Sequence, residues 1–296
     1  MPRQSTANYV GRFAPSPTGP LHMGSLLAAL ASWLDARANN GKWLLRIEDL
    51  DPPREVAGSA DCIIRSLDRH GLHWDGEICW QSQRNTAYEV ALQSLQAQDN
   101  LYRCHCSRAK IGQAVYPGYC RDEFIDPSEP HSLRLKTTPT DILFDDLIQG
   151  HQQQNIARDA GDFILRRKDN YYAYQLAVVV DDADSGVNHI LRGMDLIDST
   201  ARQIYLQHLL GYPEVMYAHF PLILNTQQQK LSKQTHATGI NDAEATGNLR
   251  QALRLLGQAS PPVKLNAVGD ILQWAKTYWD ISLIPAGQSF ETPFPA

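Results

Sequence analysis

Three sets of side chains in this sequence are spaced for chemistry: a histidine at a strand-to-helix turn, a cluster of three cysteines, and two lysines in a polar turn late in the chain. The first lies in Arg12-Phe-Ala-Pro-Ser16-Pro-Thr-Gly-Pro-Leu-His22-Met-Gly24-Ser25. A β-prone run, Tyr9 to Phe13, stops there at two prolines and a glycine, and an apolar helical pattern (Leu26, Leu27, Leu30, Trp33, Leu34) begins just after Gly24. The turn therefore presents a helix N-terminus, whose unpaired N–H groups and positive dipole end suit a phosphate. His22 adds a donor, and Gly24 lets a base or a backbone approach closely. The spacing is neither a dinucleotide-binding G-x-G-x-x-G nor a Walker loop, so a nucleotide site of another kind is expected. The structural alternative is a proline-rich connection with a capping histidine.

Cys104, Cys106 and Cys120 follow a C-x-C-x₁₃-C pattern with Pro117-Gly118 turning the chain back between them. Three soft ligands at that spacing suit a tetrahedral zinc site closed by a fourth. By residue type His105 is the commoner fourth ligand, but adjacent positions in Cys-His-Cys point different ways. The alternative is a reduced, metal-free cluster. Cys62 and Cys79 read as packing residues, and five cysteines, an odd number, suggest no disulfide framework.

Two charged positions read as ligand groups. Glu48 follows the buried strand Lys42 to Ile47, where open α/β sheets bind ligands, and suits an ammonium; Asp49 and Asp51 beside it read as a solvated turn. Arg192 ends a short apolar strand, and an arginine there needs an anion, because burying an unpaired guanidinium is costly. A substrate carboxylate and an internal pair with Asp181, Asp182 or Asp195 both answer that need. The Arg166-Arg167-Lys168 run reads as a solvated turn between two strands.

The elements that must hold these groups follow from the periodicity. Tyr9 to Phe13, the helix after Gly24 and Lys42 to Ile47 make a β-α-β unit, the start of a parallel sheet. Val56 to Arg69 and Thr86 to Gln98 read as scaffold helices, Leu196 to Leu210 as a helix stopped by Gly211, and the chain beyond Asp242 as helical, with segments at Leu249 to Leu256 and Ala267 to Trp279. The 27 basic and 32 acidic residues give a net charge of −5, which argues against bulk electrostatic coating of nucleic acid but leaves room for a local basic face. No apolar run reaches membrane-spanning length and the N-terminus has no signal-peptide organisation, so a cytoplasmic α/β protein with no membrane contact is expected.

The Arg12 to Ser25 string closely resembles the first signature of the class I glutamyl-tRNA synthetases, a His-Ile-Gly-His-like element that binds ATP; Ser25 departs from its second histidine. Arg46-Ile-Glu48-Asp-Leu-Asp, Tyr172-Ala-Tyr174-Gln-Leu-Ala-Val-Val-Val-Asp-Asp, His189-Ile-Leu-Arg192-Gly-Met-Asp and Lys230-Leu-Ser-Lys233-Gln234 are similar to further strings of that family, in the same order, over residues 9 to 280. The resemblance implies a Rossmann-type parallel-sheet catalytic domain over residues 1–240 with a zinc-bearing insertion at about 101–130, and a short helical region over 241–296. It implies ATP with Mg²⁺ bound at His22, Gly24 and Lys233, of which His22 and Lys233 are catalytic. It implies L-glutamate held by Arg12, Ser16, Glu48, Tyr174 and Arg192, whose cations reject glutamine.

Within that family, the Cys-x-Cys…Tyr-x-x-x-Cys pattern, Lys-Leu-Ser-Lys-Gln and the short C-terminal region resemble the glutamyl-Q tRNA(Asp) group. There a tyrosine completes the zinc set; by spacing it falls on Tyr116, which implies one structural Zn²⁺ per chain on Cys104, Cys106, Tyr116 and Cys120. The C-terminal region is too small for an anticodon-binding domain, and the group delivers glutamate to queuosine in the anticodon of tRNA(Asp). The expected partners are ATP, L-glutamate and queuosine-bearing tRNA(Asp), for a monomer. The rivals are a truncated glutamyl-tRNA synthetase charging the 3′ end of tRNA(Glu), a tRNA-independent adenylate-forming enzyme and a non-catalytic tRNA-binding relic.

Overall fold

The structure, a computed structural model, describes residues 9–112, 115–224 and 239–291. Strand β1 (Val10–Phe13), helix α1 (Met23–Ala38) and strand β2 (Lys42–Ile47) form the β-α-β unit, with β1 and β2 parallel from Val10 opposite Lys42 to Phe13 opposite Leu45. Asn40, at φ 54°, turns the chain out of α1, and the Gly41 amide donates to the Ala36 carbonyl. Helix α2 (Ser59–Arg69) leads to strand β3 (Cys79–Trp80), which adds parallel to β2.

Helix α3 (Asn85–Ala97) precedes an antiparallel sheet of β4 (Leu101–Cys104), β5 (Ser132–Leu135) and β8 (Ile164–Arg166). Between β4 and β5 lie the cysteine loop and the short helix α4 (Arg108–Ile111). A hairpin of β6 (Asp141–Asp146) and β7 (Gly150–Asn155) also falls within this stretch, where the sequence announced no element. The run from Tyr174 is a helix, α5 (Tyr174–Asp184), and Tyr172 keeps only an isolated bridge to Arg166 in place of a full second strand.

Strand β9 (His189–Gly193), helix α6 (Ile197–Leu210) and strand β10 (Met216–Phe220) repeat the β-α-β pattern, with β9 and β10 parallel and β6 added to the far side of β10. The two parallel halves meet at β1 and β9. The Asn188 amide donates to the Val10 carbonyl at 3.0 Å, the Asn188 side-chain oxygen accepts from the Val10 amide at 2.8 Å, and Tyr9 stacks on His189 at 4.0 Å. The run at His219 to Leu224 divides at Pro221 into β10 and β11 (Leu222–Leu224), which pairs with β12 (Ser289–Glu291).

Helix α1 is apolar on nearly every side because it is covered on nearly every side. Leu26, Leu27, Leu30 and Leu34 share one core with β1, β2 and α2, and with α7 (Ala245–Leu255) and α8 (Val268–Tyr278) through Leu249, Leu253 and Ile271. Asp35 ties Tyr9, just before β1, to Trp279, just after α8, accepting from Tyr9 Oη at 2.6 Å and Trp279 Nε1 at 2.9 Å. A second core joins α3, α5, α6 and β6, and a small third one surrounds the cysteines. Among the described residues no helix is long and apolar enough to cross a membrane.

Candidate active site and cysteine cluster

A parallel sheet whose strand order reverses opens a crevice beyond its carboxyl ends, where successive connections leave in opposite directions. Here β1 and β9 are the neighbours at that reversal, and a cavity of about 740 Å³ opens there. Arg12, Ser16 and Glu48 line it from the β1 and β2 side, Tyr174 and Arg192 from the α5 and β9 side, and His22 and Gly24 from the start of α1. Five elements, three from the first β-α-β unit and two from far along the chain, thus deliver these glutamate and ATP candidates to one space. Lys233 lies outside the described residues.

His22 is the N-cap of α1, its Nδ1 accepting from the Ser25 amide at 3.2 Å, while Ser25 Oγ lies 2.9 Å from its Nε2. The capping role and the cavity position coexist, because a cap at a helix N-terminus stands where an anion would arrive. With Nδ1 accepting, the imidazole proton is on Nε2, and Ser25 holds the ring where the general class I signature has a second histidine.

The floor at β1 and β2 is a buried charge network. Asp182, on α5, accepts from Arg46 Nη1 at 2.6 Å and from Arg12 Nε at 3.3 Å, and Arg46 Nη2 reaches Glu48 Oε1 at 3.3 Å. Burial opposes ionisation of Asp182, but the two arginines outweigh it and hold its pKa below the ordinary carboxylate range. For Glu48 the balance reverses: burial raises the pKa by more than Arg46 and Arg12 lower it. Asp181 is engaged elsewhere, by Gln81 Nε2 at 2.7 Å, Arg84 Nε at 2.5 Å and Tyr88 Oη at 2.9 Å.

Arg192 is buried and, among the described residues, forms no ion pair. Of the three internal partners that the sequence offered it, Asp181 and Asp182 are taken by Arg84, Arg46 and Arg12, and Asp195, which lines the same cavity, makes no ion pair with it. Its donors go to neutral groups instead: His219 Nε2 at 2.9 Å, Gln203 Oε1 at 2.8 Å, Thr200 Oγ1 at 2.8 Å, the Leu196 carbonyl at 3.3 Å and Tyr174 Oη at 3.5 Å. A buried cation so arranged is competent to bind an incoming carboxylate with its planar fork.

At the cavity rim Arg167 donates to Asp51 at 2.9 Å and to Asp169 at 2.6 Å, so the turn read as solvated does face the cavity, already paired. Residue-by-residue reading also passed over Arg46, Gln203 and His219, and offered Asp182 only as a partner for Arg192. For Arg46 a signal was present: it stands two residues before Glu48, and on a strand that spacing shares a face.

The cysteine cluster lies in its own small core. The sulfurs of Cys104, Cys106 and Cys120 lie within 4.8 Å of one another, Cys106 and Cys120 being 3.5 Å apart. The buried Tyr116 hydroxyl lies 3.3 Å from Cys104 Sγ and 3.7 Å from Cys106 Sγ, and accepts from the Cys120 amide at 3.1 Å. A tetrahedron with bonds of about 2.3 Å to sulfur and about 2.0 Å to oxygen has edges of roughly 3.8 Å between sulfurs and roughly 3.5 Å between sulfur and oxygen, so the donor set fits a metal.

Burial opposes the Cys104 thiolate, but hydrogen bonds from Tyr116, the Cys106 amide and Arg134 bring its pKa down to about 7. Burial pushes the Cys120 thiol up to about 11. Arg134 also stacks over the Tyr116 ring, 3.9 Å from its centroid. His105 turns outward: its side chain is 51% exposed with Nδ1 3.8 Å from Glu123, and its carbonyl accepts from Lys168.

The family model for class I tRNA synthetases (E and Q), catalytic domain, matches residues 9–115 and 120–258. A glutamyl-Q tRNA(Asp) synthetase of Thiobacillus denitrificans is 48% identical over 97% of this chain and 98% of its own length. One of Neisseria meningitidis is 49% identical over 94% of this chain and 97% of its own. Among solved structures, a glutamate tRNA ligase of Elizabethkingia meningosepticum superposes with a TM-score of 0.80 at 23% identity, over 95% of this chain and 66% of that one, and so shares the fold. The chain belongs to the class I tRNA synthetases of the E and Q type and, within them, groups with the glutamyl-Q tRNA(Asp) synthetases.

Proposed function

We propose that this chain joins L-glutamate to ATP as glutamyl-adenylate and transfers the glutamyl group to queuosine in the anticodon of tRNA(Asp). The observation that carries the amino-acid half is the pairing, in one cavity, of the Glu48 carboxylate, its side chain 10% exposed, with a buried Arg192 that has no acidic partner among the described residues. An amino acid with an ammonium and a second carboxylate satisfies both. The acceptor half is supported by the names of the near full-length relatives.

In the reaction the glutamate α-carboxylate attacks the α-phosphorus of ATP, supplied with Mg²⁺, and pyrophosphate leaves. Glu48 holds the ammonium, Arg12, Ser16, Tyr174 and Arg192 hold the rest of the amino acid, and His22 and Gly24 receive the phosphates at the α1 N-terminus. Lys233, assigned from Lys-Leu-Ser-Lys-Gln, spreads the charge that develops on the phosphates. A hydroxyl of the queuosine diol then attacks the activated carbonyl and releases AMP. Zn²⁺ on Cys104, Cys106, Tyr116 and Cys120 would fasten the β4–β5 loop and take no part in these steps.

Purified protein with ATP, Mg²⁺ and labelled glutamate should label tRNA(Asp) only when it carries queuosine. Label on both forms, on neither, or on the 3′ end of tRNA(Glu) would refute the acceptor. For the metal, the protein should hold one zinc, and Tyr116→Phe should weaken retention against a chelator by about 10- to 100-fold; a variant retaining zinc like the parent would remove Tyr116 from the ligand set.

A further inference from the structure

Behind the cavity wall, β10 and the β6–β7 hairpin bring two titratable side chains to Arg192 that have no part in the steps above. In the parallel register of β9 and β10, His219 stands opposite Arg192. Its Nε2 lies 2.9 Å from Arg192 Nε, and its Nδ1 lies 2.5 Å from Asp146 Oδ2. The His219 and Asp146 side chains are both 0% exposed.

The chemistry of arginine fixes the protons. A guanidinium only donates, so His219 Nε2 accepts, and the single imidazole proton sits on Nδ1, directed at Asp146. Asp146 in turn is immobilised: its other oxygen accepts from the amides of Ile148 at 3.0 Å, Gln149 at 2.9 Å and His219 at 3.1 Å. The Gln149 side chain closes the loop by donating to the His219 carbonyl at 2.7 Å.

We propose that Asp146 and His219 form a positioning relay that orients Arg192 and supplies its counter-charge at one remove, leaving the guanidinium able to receive a substrate carboxylate. The inference rests on the amino-acid reading of the cavity. A carboxylate placed directly against Arg192 would take two N–H groups in a fork and compete with substrate; a neutral imidazole between them takes one. The distances divide accordingly. The three short bonds of Arg192 go to His219, Gln203 and Thr200, none of which lines the cavity. The two long ones, at 3.3 and 3.5 Å, go to Leu196 and Tyr174, which do line it. These two N–H groups are the ones a carboxylate can claim.

The charged groups that bear on His219 are Asp146 of β6, Arg192 of β9 and Asp195 after β9. Burial and Arg192 disfavour a second proton more than the two aspartates favour it, so the ring stays neutral.

Two measurements test the relay. Imidazole ¹⁵N shifts of the unaltered protein should show His219 as the Nδ1–H tautomer from about pH 5 to 8; an Nε2–H or doubly protonated ring would overturn the relay whatever the substrate. In glutamate-dependent pyrophosphate exchange, His219→Phe, which keeps a flat ring without nitrogens, should raise the glutamate KM about 10- to 100-fold, with the ATP KM and kcat changed by less than about threefold.

His219→Gln, with an amide able to accept from Arg192 and donate to Asp146, should recover the parent glutamate KM to within about fivefold. Equal losses toward glutamate and ATP, or no change in glutamate KM in a folded His219→Phe protein, would overturn the proposal. A parent protein inert with glutamate would instead overturn the substrate reading and with it the purpose given to the relay, while the tautomer result would still stand or fall separately.

Discussion

At one end of the cavity Glu48 is embedded among charges; at the other Arg192 is embedded among neutral donors and acceptors. Arg46 and Arg12 converge on Asp182, and Arg46 reaches on to Glu48. Removing one charge there leaves others to compensate, because Arg46 keeps Asp182 at 2.6 Å and has Asp181 at 3.8 Å. Arg192 has no such reserve among the described residues, since its short bonds orient the guanidinium without neutralising it directly. The difference separates two ways of preparing a buried charge for a ligand. A network makes the charge tolerable before the ligand arrives, whereas a neutral cradle leaves it waiting for one.

The sharpest way to break this comparison is at Arg192. Arg192→Lys keeps the charge but loses the fork and the Nε bond to His219. With charge-assisted bonds contributing about 1.5–3 kcal/mol each, kcat/KM for glutamate in pyrophosphate exchange should fall about 10²- to 10³-fold. The melting temperature should change little, because the lysine ammonium still meets Gln203 or Thr200. A drop of less than about tenfold would mean that charge alone suffices and that the planar cradle is incidental to binding.

The two ends also differed in how well the sequence announced them. The sequence marked both Glu48 and Arg192 as ligand candidates, one from its place past a buried strand and the other from the cost of an unpaired guanidinium, which an internal acid would have met equally, and the structure brings both to the cavity. What held each of them was less legible, for different reasons. Arg46 could have been paired with Glu48 by strand periodicity, but Asp182 lies on a helix 136 residues further on, and no local pattern reports a partner so distant. The hairpin carrying Asp146 escaped because β7, His151-Gln152-Gln153-Gln154, is a polar edge strand with no apolar alternation to betray it.

By contrast, the β1-α1-β2 unit, the helices packed on it and the C-terminal pair were readable because their buried apolar residues recur at strand or helix spacing. The cysteine cluster was readable from spacing alone. The residues alone pointed to His105 as a fourth partner and the resemblance, carried over by spacing, to Tyr116; the loop turns Tyr116 inward, 3.3 Å from Cys104 Sγ, and leaves His105 exposed.

A smaller effect, and one of opposite sign, sharpens the comparison at Glu48. Burial holds its pKa above the ordinary value of 4.5, outweighing Arg46 and Arg12. A carboxyl whose pKa is raised on folding adds stability that is whole below the unfolded value, near 4.5, and is lost as pH rises through the folded value. At pH 7 the ionised group is therefore a cost to the empty protein, and Gln in its place keeps an oxygen for Arg46. Glu48→Gln should raise the melting midpoint at neutral pH by about 1–2 °C, roughly 1 kcal/mol in a chain of this length, with the gain shrinking as pH falls through the raised folded value and gone by about pH 4.5. Saturating L-glutamate should reverse the order, because ligand stabilisation follows affinity and the parent alone offers the ammonium a full charge. A variant that melts lower than the parent at neutral pH without ligand would show that the network needs the Glu48 charge as much as Arg192 needs its substrate.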